Sequence, residues 1–237
     1  MDNRQRILDW VPSFDERSRN FSAVEGIEDA PLRSKLWTCK AWLDQGREGA
    51  CVGFGWSHEL CASPDVVMVD NDFALHVYHR AQELDSIPGT DYEGTSVLAG
   101  AKAVAEYRND QGLSYIGGYR WAFGPEDVVR TIGYKGPVVL GITWYDNMYD
   151  PDENNYIHAD GPVAGGHCIL ANGFRFRKVD RKGPATYDNL DKEKSRIRVH
   201  NSWGQDWGVN GEGFITIEDL EKLLDDGEAC IPTIRRV

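Results

Sequence analysis

The chain has 237 residues, 41% of them apolar, enough to bury a substantial core as one large domain or two closely packed lobes without disulfide staples. Its 26 Lys and Arg against 38 Asp and Glu leave a formal charge of -12, which repels phosphate backbones and anionic headgroups, so neither nucleic acid nor a membrane is expected as a partner. The N-terminus MDNRQRILDWVPSFDERSRNF is charged throughout and no later stretch approaches membrane-spanning length, so a cytoplasmic protein is expected. Five cysteines, Cys39, Cys51, Cys61, Cys168 and Cys230, lack tight paired spacing. They suggest neither a disulfide framework nor a zinc site, and at least one thiol should be free.

Residues 1–34 are polar and without sustained periodicity, as expected of an extended arm lying over a folded body. After QGREGA, the run CVGFGWSHELCAS ends at Pro64 and reads as a helix despite Gly53 and Gly55, which suit close packing. NDFALHVYHRAQELD and GTSVLAGAKAVAEYR place apolar residues at spacings of three and four, so a mainly helical lobe is expected over about 45–133. From GPVVLGITW onward, short β-branched runs (GHCILANGF, SRIRVHNSW, GEGFITI) are divided by glycine-rich or charged turns, and a β-rich lobe is expected over about 134–237. RFRKVDRKGPATYDNLDKEKSR reads as an exposed hairpin tip or loop, and EDLEKLLDDGEACIP as a short helix with an acidic start, ended by Gly227.

Three separated segments carry reactive groups. Cys51 falls at a helix start, where unpaired amides and the macrodipole favour a thiolate; a buried structural cysteine is the competing reading. Gln45, six positions earlier, would be a surface residue if taken alone, but a glycine bend can bring its amide beside the sulfur as an oxyanion donor together with the Cys51 backbone N–H. His167 follows two glycines and leads into an apolar run, so its imidazole is expected at a strand edge facing a cleft, as a base for Cys51. The side-chain carbonyl of Asn201 would accept the other ring N–H, and Trp203 would shield that bond.

QGREGACVGF, GGHCILANGF and HNSWGQDWGVNGEGFITI resemble, in that order, the Gln and Cys, the His, and the Asn segments of the papain-like cysteine peptidases, over about residues 35–237. Asn201 lies 150 residues after Cys51 and His167 only 116. Family spacing places both at about 130–150, and the charged segment 175–196, which follows the His, accounts for its early arrival. The resemblance implies an α+β, two-lobed fold, with a helical lobe supplying Gln45 and Cys51 and a β-barrel-like lobe supplying His167 and Asn201. It implies a peptide or protein substrate in the interlobe cleft, with no cofactor and no metal. Gly94 in DYEGTSV and Trp203 are carried over as substrate-binding positions, Gly94 through main-chain pairing with an extended substrate. An ordinary helix-preceding turn explains Gly94 equally well.

The match has departures. EGACV stands where the family has CGSCW, so Glu48 replaces a disulfide cysteine, which agrees with a reducing compartment, and Val52 replaces an aromatic residue. A carboxylate close to Cys51 would raise its pKa. With 44 residues before Gln45, a full prodomain is not expected, and restraint would come from a narrow cleft, a separate inhibitor protein or the timing of expression. His58, about 10 Å along the helix from Cys51, is not expected to be the base. His76 and His79, with Asp72 one turn earlier, lack a fourth-ligand pattern and read as helix surface. His158 and His200 carry no role. Two other functions stay open: an amidase, deconjugating enzyme or acyl transferase using the same site, and a non-catalytic binding module.

Overall fold

The computed structural model describes residues 2–235. After a short strand β1 (Lys35–Leu36), three helices follow, α1 (Cys51–Leu60), α2 (Asn71–Leu84) and α3 (Val97–Glu106). They occupy the run that ends at Pro64 and the two stretches whose apolar spacing predicts helices. Asp70 and Ser96 cap α2 and α3, accepting from the Phe73 and Ala99 amides at 2.9 and 3.1 Å. Every residue of α1 is buried and its first turn has no side-chain cap, so α1 is a core helix whose N-terminal amides are left for other partners. Its closeness to α2 depends on Gly53, where a Cβ would stand 2.2 Å from the Ala74 carbonyl oxygen.

Next come β2 (Ile116–Trp121), α4 (Pro125–Tyr134), β3 (Val138–Tyr145), β4 (Val163–Arg175), β5 (Arg196–His200), β6 (Glu212–Thr216), α5 (Ile217–Leu223) and β7 (Glu228–Arg235). The strands form one antiparallel sheet in the order β2-β7-β3-β4-β5-β6, with β1 added to β4. Two hydrophobic cores result. One gathers α1, α2 and α3 around Val52, Phe54, Trp56, Val77 and Val104; the other fills the sheet side with Ile132, Leu140, Ile142, Ile169, Val199 and Ile215. The chain is thus α+β and two-lobed.

Several boundaries differ from the sequence expectation. Strand β2 lies inside the stretch expected to be helical and pairs with β7 at the far end of the chain, a long-range pairing that local periodicity cannot display. The amphipathic α4 buries Val128, Val129 and Ile132 in the sheet-side core. The last helix ends at Leu223, before Gly227, because the chain must turn into β7. Residues 176–195 are tied down by the Lys178–Leu190 bridge, a buried Leu190 and a bond from the Leu32 amide to the Ala185 carbonyl at 2.6 Å.

The arm departs furthest from expectation. It does not lie over the body. Leu8, Ala23 and Leu32 are buried in the sheet-side core and Trp10 in the helical one, so residues around 6–13 run between the lobes. Polar composition hid this, because a segment bound mainly through its backbone needs few apolar side chains.

Candidate active site

Cys51 begins α1 and is fully buried, its sulfur within reach of the backbone amides of Cys168 and Asp9. Residue 168 follows His167 on β4, so the nucleophile candidate from the helical lobe lies against the strand that carries the base candidate. His167 is fully buried and sits opposite Ile142 of β3. Its Nε2 lies 2.8 Å from Asn201 Oδ1. That oxygen also accepts from the Ser202 amide at 2.8 Å, which fixes it as the acceptor end of the side chain. The ring proton therefore resides on Nε2, and Nδ1, buried and without a hydrogen-bond partner, keeps its lone pair.

Gln45 is drawn into the same place. Its side chain accepts from the Ser202 hydroxyl at 2.6 Å, and its amide nitrogen donates to the Glu48 carbonyl at 2.8 Å and the Ile7 carbonyl at 3.2 Å. The Gln45 backbone amide donates to the Ser202 carbonyl at 2.9 Å. Ser202 thus couples the loop before Cys51 to the loop after β5. Nothing in the sequence marked Ser202, beyond its place between Asn201 and Trp203.

The rings of Trp144 and Trp203 pack on His167, with centroids 4.7 and 5.1 Å away. Tyr149 and Trp207 close around Trp203 at 5.7 and 5.8 Å. Trp203 is only 2% exposed. Aromatic neighbours enclose it beside the His167–Asn201 bond, the place from which the sequence expects it to shield that bond. Trp144, in the apolar run of β3, carries no sequence signal for this contact.

The N-terminal arm fills the cleft. Trp10 donates its amide to the Gly166 carbonyl at 2.8 Å, Thr95 donates to the Asp9 carbonyl at 3.2 Å, and Val11 donates to the Thr95 carbonyl at 3.0 Å. The arm is therefore an extended strand held on both sides. Gly94 has φ +90°, and a Cβ there would stand 1.9 Å from the Asp9 carbonyl oxygen, so only glycine admits the arm. The main-chain bonds come from Thr95, while the Gly94 amide donates to the Tyr78 hydroxyl at 3.1 Å. Glu228 anchors the arm further on, accepting from Trp10 Nε1 at 3.3 Å and the Ser13 amide at 2.9 Å. Arg6 forks onto Asp44 and donates to the Gly46 carbonyl at 2.9 Å.

This occlusion sets the electrostatics. Burial pushes the Cys51 thiol up to about 12, and the nearby Asp9 carboxylate adds to the rise while the Cys168 and Asp9 amides oppose it. The carboxylate acting on Cys51 is that of Asp9, where the sequence drew attention to Glu48. Burial lowers His167 to about 4, against the Asn201 bond that favours its charged form. With the arm in place, thiol and imidazole are both neutral. The Asp9 backbone N–H of the arm faces the sulfur.

The other histidines stand apart from this chemistry. His58 is buried, accepts from the Leu43 amide at 3.0 Å and packs on His200 at 4.5 Å. His200 Nε2 donates to the Ala41 carbonyl at 2.9 Å. His76 meets Tyr107 edge-on and His79 lies tilted against Tyr78. His158 pairs with Asp152 at 3.2 Å. Among the described residues no group of three or more His, Cys, Asp or Glu is arranged to hold a metal.

No family model matches the chain. Cathepsin B of Dictyostelium discoideum is 27% identical over 107 residues, a match spanning 45% of this chain and 30% of that protein's length. Among solved structures, xylellain, a cysteine protease from Xylella fastidiosa, superposes with a TM-score of 0.65 at 17% identity, covering 98% of this chain and 97% of that one. Procathepsin L 3 of the Tenebrio molitor larval midgut gives 0.59 at 14% identity, with coverages of 98% and 77%. Procathepsin B of Trypanosoma congolense gives 0.57 at 16% identity, with coverages of 100% and 88%.

Proposed function

The chain has the two-lobed fold of the papain-like cysteine peptidases, and from that premise we propose that it is a cysteine peptidase whose own arm holds it latent. The observation that carries the reading is the buried His167 ring. Its Nε2 is fixed by Asn201 at 2.8 Å and its Nδ1 is unpartnered, beside a helix start bearing Cys51. Once the arm leaves, solvent returns to the cleft, the desolvation that raises Cys51 and lowers His167 falls away, and the pair can exchange its proton.

In this reading Cys51 attacks a substrate carbonyl, with its proton passing to His167 Nδ1. The tetrahedral oxyanion is held by the Gln45 side-chain amide, which here donates to the Ile7 carbonyl, and by the Cys51 backbone N–H at the uncapped start of α1. His167 returns the proton to the leaving amine, the acyl thioester remains on Cys51, and water activated by the same imidazole releases the acid. Asn201 positions His167 throughout. The five unpaired thiols support a cytoplasmic, reducing location for this chemistry.

The test is alkylation by a thiol-directed peptidyl epoxide, read by mass spectrometry, on the Trp10→Ala chain, whose arm has lost its buried anchor, and on Trp10→Ala, His167→Ala. Labelling concentrated on Cys51 and lost with His167 supports the reading; labelling spread over the five cysteines, indifferent to His167, overturns it in favour of a non-catalytic module. Adding an amine acceptor to the reaction separates hydrolysis from acyl transfer.

A further inference from the structure

The arm places the Asp9 carboxylate where it acts on the Cys51 thiol, and its surroundings are chemically unfavourable to it. A Cβ built on Gly49 would stand 2.7 Å from Glu93 Oε2 and 2.9 Å from Asp9 Oδ2, so the two carboxyls share the niche above Gly49, two residues before Cys51. The Gly49 amide donates to Glu93 at 2.8 Å and fixes that carboxyl in place. Burial and then Glu93 raise the Asp9 pKa. An extended backbone is thus bound on both sides through Gly166 and Thr95, with the side chain it presents beside Cys51 of the wrong sign.

Beyond this niche Glu93 lines a cavity of about 550 Å³ whose walls include Glu48, Glu83, Asp91 and Tyr92. Glu93 is common to the niche and the cavity. We propose that Glu93 is a specificity-determining residue and that the cleft selects substrates with a lysine or arginine at the residue whose carbonyl Cys51 attacks. The proposal rests on the peptidase reading above. Two features of the site combine in it. The docked arm shows that an extended backbone bound here directs a side chain over Gly49 onto Glu93, and the cavity gives a longer side chain room to continue toward Glu48 and Asp91. A cation there exchanges the Asp9–Glu93 repulsion for a charge-assisted hydrogen bond, and it also displaces the arm, whose acidic residue competes poorly for the same place.

The experiment uses the full chain and three N-acetyl dipeptidyl chloromethyl ketones that differ only at the residue next to the ketone, lysine, methionine or glutamate. Cys51 alkylation is followed by mass spectrometry on the Trp10→Ala chain, whose arm has lost its buried anchor, and on the same chain carrying Glu93→Gln or His167→Ala. The lysine ketone is expected to label about tenfold or more faster than the methionine ketone, and the glutamate ketone slowest. Glu93→Gln, which can still accept from the Gly49 amide, should collapse the lysine-to-methionine ratio toward one. Equal, His167-dependent rates for the three ketones on the Trp10→Ala chain, or a ratio untouched by Glu93→Gln, overturn this inference and leave the peptidase reading standing. Failure of all three to label Cys51, or labelling indifferent to His167, overturns the peptidase reading and this inference with it.

Discussion

The side-chain amide of Gln45 donates to the main-chain carbonyl of Ile7 at 3.2 Å. A donor proposed for the transition state is thus engaged by the chain's own arm. Gln45→Ala should lower kcat on a peptide substrate by about 10²–10³-fold with a smaller change in KM, as loss of one oxyanion donor does. A fall confined to KM would assign Gln45 to ground-state binding only.

Trp10 holds the arm through its amide to Gly166, its indole to Glu228 and its burial in the helical core. Trp10→Ala should weaken arm docking by on the order of 3 kcal/mol, equivalent to roughly a hundredfold faster alkylation of Cys51. The check is the labelling rate at fixed pH, with circular dichroism to establish that the fold is kept. An unchanged rate in a folded variant would mean that the arm does not limit access.

Docking should also respond to pH through Asp9. Its pKa is raised in the docked state by burial first and by Glu93 second, so the protonated form favours docking. That contribution is full below the ordinary carboxylate range and is lost as pH rises through the raised value. The groups around Asp9 are Glu93, Cys51 and Tyr78, none of them a cation that would offset its charge. Proteolytic nicking of the arm should therefore become easier as pH rises above the ordinary carboxylate range and through the raised Asp9 value, and the ratio of native to Asp9→Asn nicking rates should carry the dependence. A flat ratio would remove Asp9 from the switch.

Much of this was legible in the sequence, and the limits have physical causes. Helices α2 and α3 follow from apolar spacing and α1 from the run that ends at Pro64, while His167, expected at a strand edge, lies within β4 opposite Ile142 because the strand starts earlier, at Val163. Strand β2 escaped because its partner β7 is more than a hundred residues away, and α4 because its apolar stripe does not reveal which lobe it faces. The role of residues 6–13 was invisible for a different reason. Backbone-to-backbone pairing with Gly166 and Thr95 uses groups that every residue carries. Ser202 and Trp144 were missed because each acts through a neighbour.

Asn201→Ala would strand His167 Nε2 in a buried site. The loss of a buried partner costs about 1–3 kcal/mol, so kcat should fall by roughly 10–100-fold. Asn201→Asp, which keeps an acceptor at that place, should restore part of the loss and shift the pH profile upward by stabilising the charged ring. Equal activity in the alanine and aspartate variants would remove the positioning role.

The most direct measurement is the rate of peptidyl-epoxide labelling at Cys51 in the Trp10→Ala chain, compared with Trp10→Ala, His167→Ala. The account predicts fast modification of Cys51 alone in the first chain and its loss in the second. Similar slow labelling of Cys51 in both, no faster than at Cys39 or Cys61, would contradict it.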